Sequence, residues 1–358
     1  MDRPKRPSNG GVRRARTWFA IVLALMLTAL AAPVSAQWTT VQWSQLDQAL
    51  APLAPRSNLL VAEFRGSTCA TIHGRDETAP LAIASTFKLY VLGELARQIQ
   101  VGEAAWSDTI VVSDALRSMP SGDYAFVQAG TAVDVRSLAG AMIGQSDNTA
   151  TDHLIDYLGR ENVESAFAAY GHSDPESNVP MLLTRELFSI KMTQSAEWMQ
   201  RYMSASDEAQ LQLLEDQIEP ILINPTAGWG LWNGPTAIDG IEWFASAADL
   251  CRVTASLWSI GAQDGLEPVR EILTGNRGGI TDTATWPRAG YKGGLEAGVV
   301  NMTYVLERSD GRVYFVSAGY NQPAGRVDDA AARAHLFPVF DCLGVVEGAG
   351  SCADSAGS

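Results

Sequence analysis

Hydrophobic and polar positions alternate with a period of two near both ends of the chain and recur with a helical period between them. The stretch SNLLVAEFRGSTCATIHGRD predicts two strands joined by a turn that contains glycine. The stretch YKGGLEAGVVNMTYVLERSDGRVYFVSAGYN predicts three more strands, with SDG as a hairpin turn between Tyr304 and Val313. From about Pro80 to Leu273 the pattern is mostly helical.

Strands at both ends with helices between them predict an α/β fold of the α+β type. We expect one antiparallel five-stranded sheet built from both termini, flanked by helices, with an all-helical domain inserted. The segments TVQWSQLDQALAPL and VDDAAARAHLFPVFDCL predict terminal helices that cover the sheet. The predicted domains are a discontinuous sheet domain of residues 37–79 and 275–345, an all-α domain of residues 80–274, and a flexible tail of residues 346–358.

The first 36 residues have the pattern of a bacterial export signal. Basic residues precede the apolar run WFAIVLALMLTALAA, and small residues precede a predicted cleavage site after Ala36. This segment carries six basic residues and one acidic residue, so its removal makes the formal net charge of −14 still more negative. Such a charge disfavours binding to nucleic acid and to anionic membranes. We expect a periplasmic or secreted monomer that has no membrane attachment after cleavage.

Four cysteines, Cys69, Cys251, Cys342 and Cys352, allow three complete pairings, and the sequence does not choose among them. Cys342 and Cys352 are close enough along the chain to join the tail to the last helix. Cys251 is predicted to lie on a buried helical face. The spacing does not resemble a zinc site, and we expect neither a metal nor another cofactor.

The chain contains only four lysines, and one of them, Lys88, lies in the apolar run LAIASTFKLYVLGELARQI. On a helix that begins near Ser85, apolar residues flank Lys88 along two i, i+4 ridges. Burial disfavours an ammonium group, so Lys88 is predicted to be a neutral amine near pH 7 and to act as a base. Ser85 lies one turn earlier and is the candidate nucleophile. The alternative is a lysine that extends to solvent beside a serine that caps the helix.

Two further segments strengthen the catalytic interpretation. IGQSDNTATDHL contains Ser146, Asp147 and Asn148 after a helical stretch, and AGYKGGLEAGVV places Lys292 at the start of a predicted strand. Each segment alone is more typical of a capping turn or of a charge at the end of a strand. Taken with Ser85 and its lysine, they predict that three segments converge on one cleft.

These residues carry a family resemblance. S-T-F-K, S-D-N and K-G-G, in this order, resemble the boxes of class A β-lactamases and penicillin-binding proteins, over most of the mature chain. The resemblance implies an acyl-enzyme mechanism. In it Ser85 attacks the substrate carbonyl, Lys88 is the base or proton relay, and Ser146 gives a proton to the leaving nitrogen.

The same resemblance implies the residues that bind the substrate. Lys292 assists the proton transfer by Ser146, and Asn148 holds a side-chain amide of the substrate. The backbone N–H groups of Ser85 and Leu295 form the oxyanion hole. Gly293 stands where the family carries a Thr or Ser hydroxyl that binds the substrate carboxylate, so this contact is missing from the box itself.

The deacylation base is the second departure from the family. Class A enzymes use a Glu on a loop after the S-D-N box, and the matching segment here, YGHSDPESNVPMLLTRELF, is short. Asp174 or Glu176 is the candidate base, and the alternative is a solvated acidic turn. Glu186 is expected to cap a helix or to join a charge pair. Without a base the acyl-enzyme persists, and the protein binds penicillins without destroying them.

A glycine-rich and tryptophan-rich insertion, NPTAGWGLWNGPTAIDGIEWFAS, precedes the last strands. Trp229, Trp232 and Trp243 are expected either to form a movable wall over the cleft or to pack the insertion onto the domain. Asp239 and Glu242 also lie in this insertion and are further candidates for a carboxylate near the cleft.

The expected activity is that of an exported serine β-lactamase that hydrolyses a small β-lactam or acyl-amide substrate. The alternatives are a D-alanyl peptidase or esterase of the penicillin-binding type, and a penicillin-binding sensor that is acylated without turnover. A Ser-His-Asp hydrolase is disfavoured because the chain has no G-x-S-x-G elbow, and His153 is expected to be structural. A metallohydrolase is disfavoured because H-E-x-x-H is missing from the sequence.

Overall fold

The computed structural model describes residues 43–225 and 234–345. The predicted signal peptide of residues 1–36 and the predicted tail of residues 346–358 lie outside the described residues. Within the described ranges, no helix combines the length and the apolar character needed to cross a bilayer.

Nine strands and eleven α-helices lie in the described residues. The strands are β1 (Arg56–Arg65), β2 (Thr68–Arg75), β3 (Leu81–Ala82), β4 (Thr109–Val111), β5 (Ala132–Asp134), β6 (Phe244–Ala245), β7 (Arg288–Glu296), β8 (Val299–Glu307) and β9 (Val313–Asn321). The α-helices are α1 (Trp43–Leu50), α2 (Lys88–Gln100), α3 (Val135–Gly144), α4 (Asn148–Leu158), α5 (Arg160–Ala169), α6 (Thr184–Thr193), α7 (Ala196–Met203), α8 (Asp207–Gln217), α9 (Ala247–Ile260), α10 (Glu267–Leu273) and α11 (Asp329–Leu343). Short 3₁₀ helices lie at Ala51–Leu53, Ala84–Phe87, Asp114–Leu116, Asp123–Phe126 and Pro175–Asn178.

The main sheet has five antiparallel strands in the order β2-β1-β9-β8-β7. Two of these strands come from the start of the chain and three from its end, so the predicted α+β class is confirmed. The inserted region is mostly helical but also contains the short strands β3 to β6, which form two small sheets. The predicted SDG turn joins β8 to β9, where Glu307 pairs with Val313. Gly311 in this turn has a φ of +85°, which favours glycine.

Both faces of the sheet are buried, and the period of two along each strand separates them. On β1, Leu60 and Ala62 belong to the large core shared with the helical region. Leu59 and Val61 point into a second core that α1 and α11 cover. The terminal helices therefore cover the sheet, as their sequences predict.

Helix α2 lies inside the helical region and contacts α3, α4, α5 and α9. Most of its apolar side chains are buried, with Val91, Leu92 and Leu95 at zero exposure. A helix enclosed on this many sides holds its first residue, Lys88, away from solvent. The fold thereby creates the desolvation that the sequence pattern predicts.

One disulfide joins Cys69 on the edge strand β2 to Cys251 on α9, across 182 residues of chain. Cys251 does lie on a buried helical face, but it is bonded there and is not a free thiol. Cys342 is also disulfide-bonded. The pairing of Cys342 with Cys352 that the sequence suggests involves a residue outside the described ranges.

Candidate active site

Ser85 lies in the 3₁₀ turn Ala84–Phe87, which leads directly into α2. The preceding residue, Ala84, has a φ of +44°, in the left-handed region that residues with a Cβ rarely adopt. Backbone strain of this kind is typical of functional sites, where the surrounding structure maintains it. The turn presents Ser85, half-buried, to a cleft of about 360 Å³.

Strand β7 runs very close to the turn that carries Ser85. A Cβ placed on Gly294 would lie 1.9 Å from the carbonyl oxygen of Ile83 and 2.9 Å from Thr86 Oγ1. Only glycine permits this approach, because the oxygen belongs to rigid backbone. The close contact brings Leu295 to the same cleft as Ser85. Both residues of the expected oxyanion hole therefore line one cavity.

The Lys88 side chain is completely buried and forms hydrogen bonds with Ser146, in the loop before α4, and with Asn148, the first residue of α4. Its Nζ lies 2.7 Å from the Ser146 carbonyl oxygen, 2.5 Å from Asn148 Oδ1 and 3.3 Å from Ser146 Oγ. Burial lowers the pKa of Lys88 to about 7, although the negative charges of Asp152 and Asp147 act in the opposite direction. A neutral amine is therefore well populated near pH 7.

The hydrogen-bond pattern of Lys88 is compatible with a neutral amine. Such an amine has two N–H donors, and the two carbonyl-type oxygens of Ser146 and Asn148 accept both. The lone pair is then left for a hydroxyl proton. In this state of the protein Lys88 has no hydrogen bond to Ser85 Oγ among the described residues. Catalytic hydrogen bonds often tighten only when substrate is bound.

Ser146 lies between the two buried lysines. It joins α3 to α4 with a φ of +58°, and its Oγ accepts a hydrogen bond of 2.9 Å from Lys292 Nζ. Lys292 Nζ also donates to the Gly293 carbonyl oxygen at 2.6 Å. Burial, with a smaller contribution from the charge of Lys88, lowers the pKa of Lys292 well below its usual range.

Asp147 fixes the position of the S-D-N loop through hydrogen bonds that its carboxylate accepts. Its carboxylate caps α4 by accepting from the Ala150 N–H, and it also accepts from Ser121 Oγ and from the Tyr124 N–H. Asn148 is fixed by its contact with Lys88 and by donation from Nδ2 to the Pro120 carbonyl oxygen at 2.6 Å. The capping interpretation of this loop is therefore correct for Asp147, while Ser146 and Asn148 line the cleft.

The structure brings seven of the nine candidate site residues together. Ser85, Ser146, Asn148, Lys292, Gly293 and Leu295 line the cleft, and Lys88 lies directly behind it. The other residues that line it are Pro120, Ser121, Ile143, Gly144, Gln145, Phe188, Asn276 and Tyr291. No aspartate or glutamate of the described chain is among the lining residues.

The two candidate deacylation bases are not brought to the cleft. Asp174 and Glu176 are both exposed, at the start of the 3₁₀ turn Pro175–Asn178. This turn is fixed to strand β6, where Asn178 Nδ2 donates to the Phe244 carbonyl oxygen. The structure therefore agrees with the alternative interpretation of this segment, a solvated acidic turn.

The other acidic candidates are engaged elsewhere. Glu186 accepts from the Leu183 N–H and pairs with Arg160, so it caps α6 and joins a charge pair as expected. Asp239 is exposed and pairs with Arg56. Glu242 is buried and binds Lys191 at 2.6 Å.

Trp243 does not belong to a movable wall. It is buried and stacks on Phe87 with ring centroids 3.8 Å apart, and its indole N–H donates to the Leu182 carbonyl oxygen. For Trp243 the packing interpretation is correct. Its ring supports the turn that carries Ser85, because Phe87 belongs to that turn. Trp229 and Trp232 lie outside the described residues.

His153 is structural: its ring accepts from the Ser113 N–H and contacts the Thr149 carbonyl oxygen.

Sequence reasoning missed Asp152, a buried carboxylate that acts on Lys88 together with Asp147. Asp152 accepts from Thr184 N, Thr184 Oγ1 and Arg185 N at the start of α6. Burial raises the pKa of Asp152 to about 7. One signal could have indicated it, because Asp152 lies four residues after Asn148 and so on the same face of α4.

The sheet with its helical region and the Ser-Lys-Ser-Lys arrangement define the fold of the serine β-lactamases and penicillin-binding proteins. Residues 65–219 match the profile of the beta-lactamase enzyme family. The resemblance that the three boxes predict is thereby confirmed. No curated protein sequence matches the chain.

Several solved structures share this fold. A β-lactamase from Sphaerobacter thermophilus DSM 20745 has a TM-score of 0.58 at 19% identity, over 85% of this chain and 98% of that one. The class A β-lactamase of the last common ancestor of Gram-negative bacteria has a TM-score of 0.57 at 16% identity, over 84% and 96%. A mutant of PBP-A, solved as an acyl-enzyme with penicillin G, has a TM-score of 0.53 at 15% identity, over 84% and 94%.

Proposed function

We propose that this chain is an exported serine hydrolase that reacts with β-lactams and related acyl amides through Ser85, and that its acyl-enzyme is long-lived. The observation that carries the proposal is the cleft itself. It contains a serine beside two buried lysines, and no carboxylate of the described residues lines it. Acylation is supported by this geometry, whereas no aspartate or glutamate of the described residues lines the cleft to activate water for deacylation.

The proposed acylation steps use the side chains described above, and the contact of Lys88 with Ser85 Oγ forms when substrate is bound. Ser85 Oγ adds to the substrate carbonyl carbon and gives its proton to the neutral amine of Lys88. The C–N bond then breaks as Ser146 Oγ protonates the leaving nitrogen, and Ser146 recovers a proton from Lys88. Lys292 donates to Ser146 Oγ throughout and stabilises negative charge that develops there. The product is an ester at Ser85 and an amine, which stays attached to the acyl group when the substrate is a β-lactam.

Export is supported by two independent features. The first 36 residues have the signal pattern described above. The disulfide between Cys69 and Cys251 is typical of proteins that fold in an oxidising compartment.

The test is to mix the mature protein with a chromogenic cephalosporin and to follow colour and intact mass together. We expect a burst of colour stoichiometric with protein and an adduct that persists and maps to the peptide containing Ser85. Sustained colour with unmodified protein would instead identify an efficient β-lactamase. If neither colour nor an adduct appears, the proposal is contradicted. If a D-alanyl peptide is turned over by the same protein, the substrate class is that of a peptidase.

Gly294→Ala is expected to slow acylation by about a hundredfold, because misplacing a reactive group by about 1 Å can cost that much. The added methyl group would lie 1.9 Å from the Ile83 carbonyl oxygen, so strand β7 must move away from Ser85. The measurement is the second-order rate of labelling by a fluorescent penicillin. Gly140→Ala on α3 is the matched control, because its Cβ meets nothing within 4 Å. Equal rates in both variants would show that the close approach is not needed.

A further inference from the structure

Tyr291 places a phenol group over the glycine of the K-G-G box. Tyr291 and Gly293 are two residues apart on β7 and so lie on the same face of the strand. A Cβ placed on Gly293 would lie 2.3 Å from the Tyr291 hydroxyl oxygen, and its three nearest atoms all belong to Tyr291. Tyr291 is half-buried and lines the cleft together with Ser85 and Lys292.

Two glycines hold the Tyr291 ring in this position. Gly293 leaves space for the hydroxyl end of the ring. Gly278, with a φ of +59°, lies against its other end, and a Cβ there would come within 2.6 Å of Tyr291 Cβ and Cγ. The ring also packs on Tyr304, with centroids 4.7 Å apart. The direction of the Tyr291 hydroxyl is therefore set by the fold.

Arg333 on α11 supplies a positive charge behind Tyr291. Its Nη2 donates to the Tyr291 hydroxyl at 3.2 Å, and its guanidinium carbon lies 5.1 Å from the centre of the ring. Arg333 Nη1 donates to the Tyr304 hydroxyl and to the Gly278 carbonyl oxygen. Among the described residues the half-buried Arg333 forms no ion pair within 4 Å, and the Asp329 carboxylate, one turn earlier on α11, acts on its guanidinium at longer range.

This arrangement leaves the Tyr291 hydroxyl as an unused donor. Its oxygen accepts from a cation, which polarises the O–H bond, and the O–H group itself has no acceptor in the described part of the chain. Lys292 contributes a second basic group to the same end of the cleft. A strong acceptor with negative charge satisfies the donor and also compensates the guanidinium.

We propose that Tyr291, supported by Arg333, binds an anionic group of the acyl donor, namely a carboxylate attached near the scissile amide. This inference rests on the proposed function, because it concerns the substrate of the same cleft. Tyr291 is then a specificity-determining residue that contacts the substrate, and Arg333 is a positioning residue that acts through it. The hydroxyl that Gly293 lacks is supplied from two residues earlier in the same strand.

The test compares benzylpenicillin with its methyl ester, which removes the negative charge and keeps the reactive amide. The measured quantity is the second-order rate of adduct formation, followed by intact mass. For Tyr291→Phe we expect a loss of about tenfold to a hundredfold with the acid, typical of a charge-assisted hydrogen bond, and little change with the ester. The acid-to-ester ratio of rates therefore falls.

A matched control and a rescue complete the design. Tyr304→Phe removes a second phenol that contacts Arg333 but does not line the cleft, and it should keep the wild-type ratio. Tyr291→Ala with Gly293→Thr places a new hydroxyl where the phenol was, and it should recover part of the acid rate lost in Tyr291→Ala.

The outcomes separate the two proposals. Wild-type protein that is labelled by neither compound contradicts the proposed function and this inference with it. Labelling of wild type with an acid-to-ester ratio unchanged in Tyr291→Phe overturns the inference alone. An equal fall of the ratio in Tyr304→Phe also overturns it, because the effect then comes from packing behind the sheet.

Discussion

Ser85→Ala is expected to abolish covalent labelling by penicillin, with no adduct detectable by intact mass. Ser85 is half-buried in the strained turn before α2 and lines the same cleft as Leu295 of β7. Removing the hydroxyl removes the atom that forms the ester, so the loss is complete and not a change in rate. Folding should be unaffected, because no hydrogen bond of the described structure uses Ser85 Oγ.

Ser121→Ala is the matched control for this experiment. Ser121 is a second serine that lines the cleft, but its Oγ donates to Asp147 and accepts from the Thr149 N–H. The Ser121→Ala protein should still take up one equivalent of penicillin at Ser85. If instead Ser85→Ala labels at the wild-type rate and Ser121→Ala does not, the nucleophile has been assigned to the wrong serine.

Lys88→Met is expected to slow acylation by about a hundredfold to ten-thousandfold, the usual contribution of a positioned general base. Methionine has similar length and no basic atom, so Ser85 loses its proton acceptor while the buried space stays filled. The measurement is the pre-steady-state rate of labelling, with the far-ultraviolet circular dichroism and the unfolding temperature checked in parallel. A folded Lys88→Met protein that labels as fast as wild type would exclude Lys88 as the base.

The pH dependence of acylation follows from the same lysine. Only the neutral amine accepts a proton, so the wild-type rate should rise with pH through about 7 and become constant above it. This rise should be lost in Lys88→Met. The charges of Asp152 and Asp147 raise the Lys88 pKa, so Asp152→Asn should move the rise to lower pH. A shift to higher pH would contradict this electrostatic assignment.

Much of the fold could be predicted because its signals are local. Side chains along Leu59–Ala62 alternate between the two cores, as expected for a strand with two buried faces. The SDG turn predicts the position of the β8–β9 hairpin to within a few residues. The apolar ridges around Lys88 indicate a helix that is enclosed. In each case neighbouring residues determine the backbone conformation, so a short window of sequence contains the information.

The site was predictable only in part. The three boxes indicate which residues share the cleft, but not that Lys88 contacts Ser146 and Asn148 more directly than Ser85. Asp174 and Glu176 were candidates because of a short pattern, and the structure places both in solvent. Trp243 belongs to a core and not to a lid, since its ring stacks on Phe87. These contacts depend on how separate segments are packed.

The amino-acid sequence alone therefore specifies the strands, the helices, the family resemblance and the identity of the Ser and Lys residues. Tertiary packing selects one cysteine pairing out of three, Cys69 with Cys251, and brings Lys292 to Ser146 across 146 residues. It also places Tyr291 over Gly293 and Arg333 behind it. The physical reason is that local conformation depends on adjacent residues, whereas a contact between distant residues depends on the path of the whole backbone.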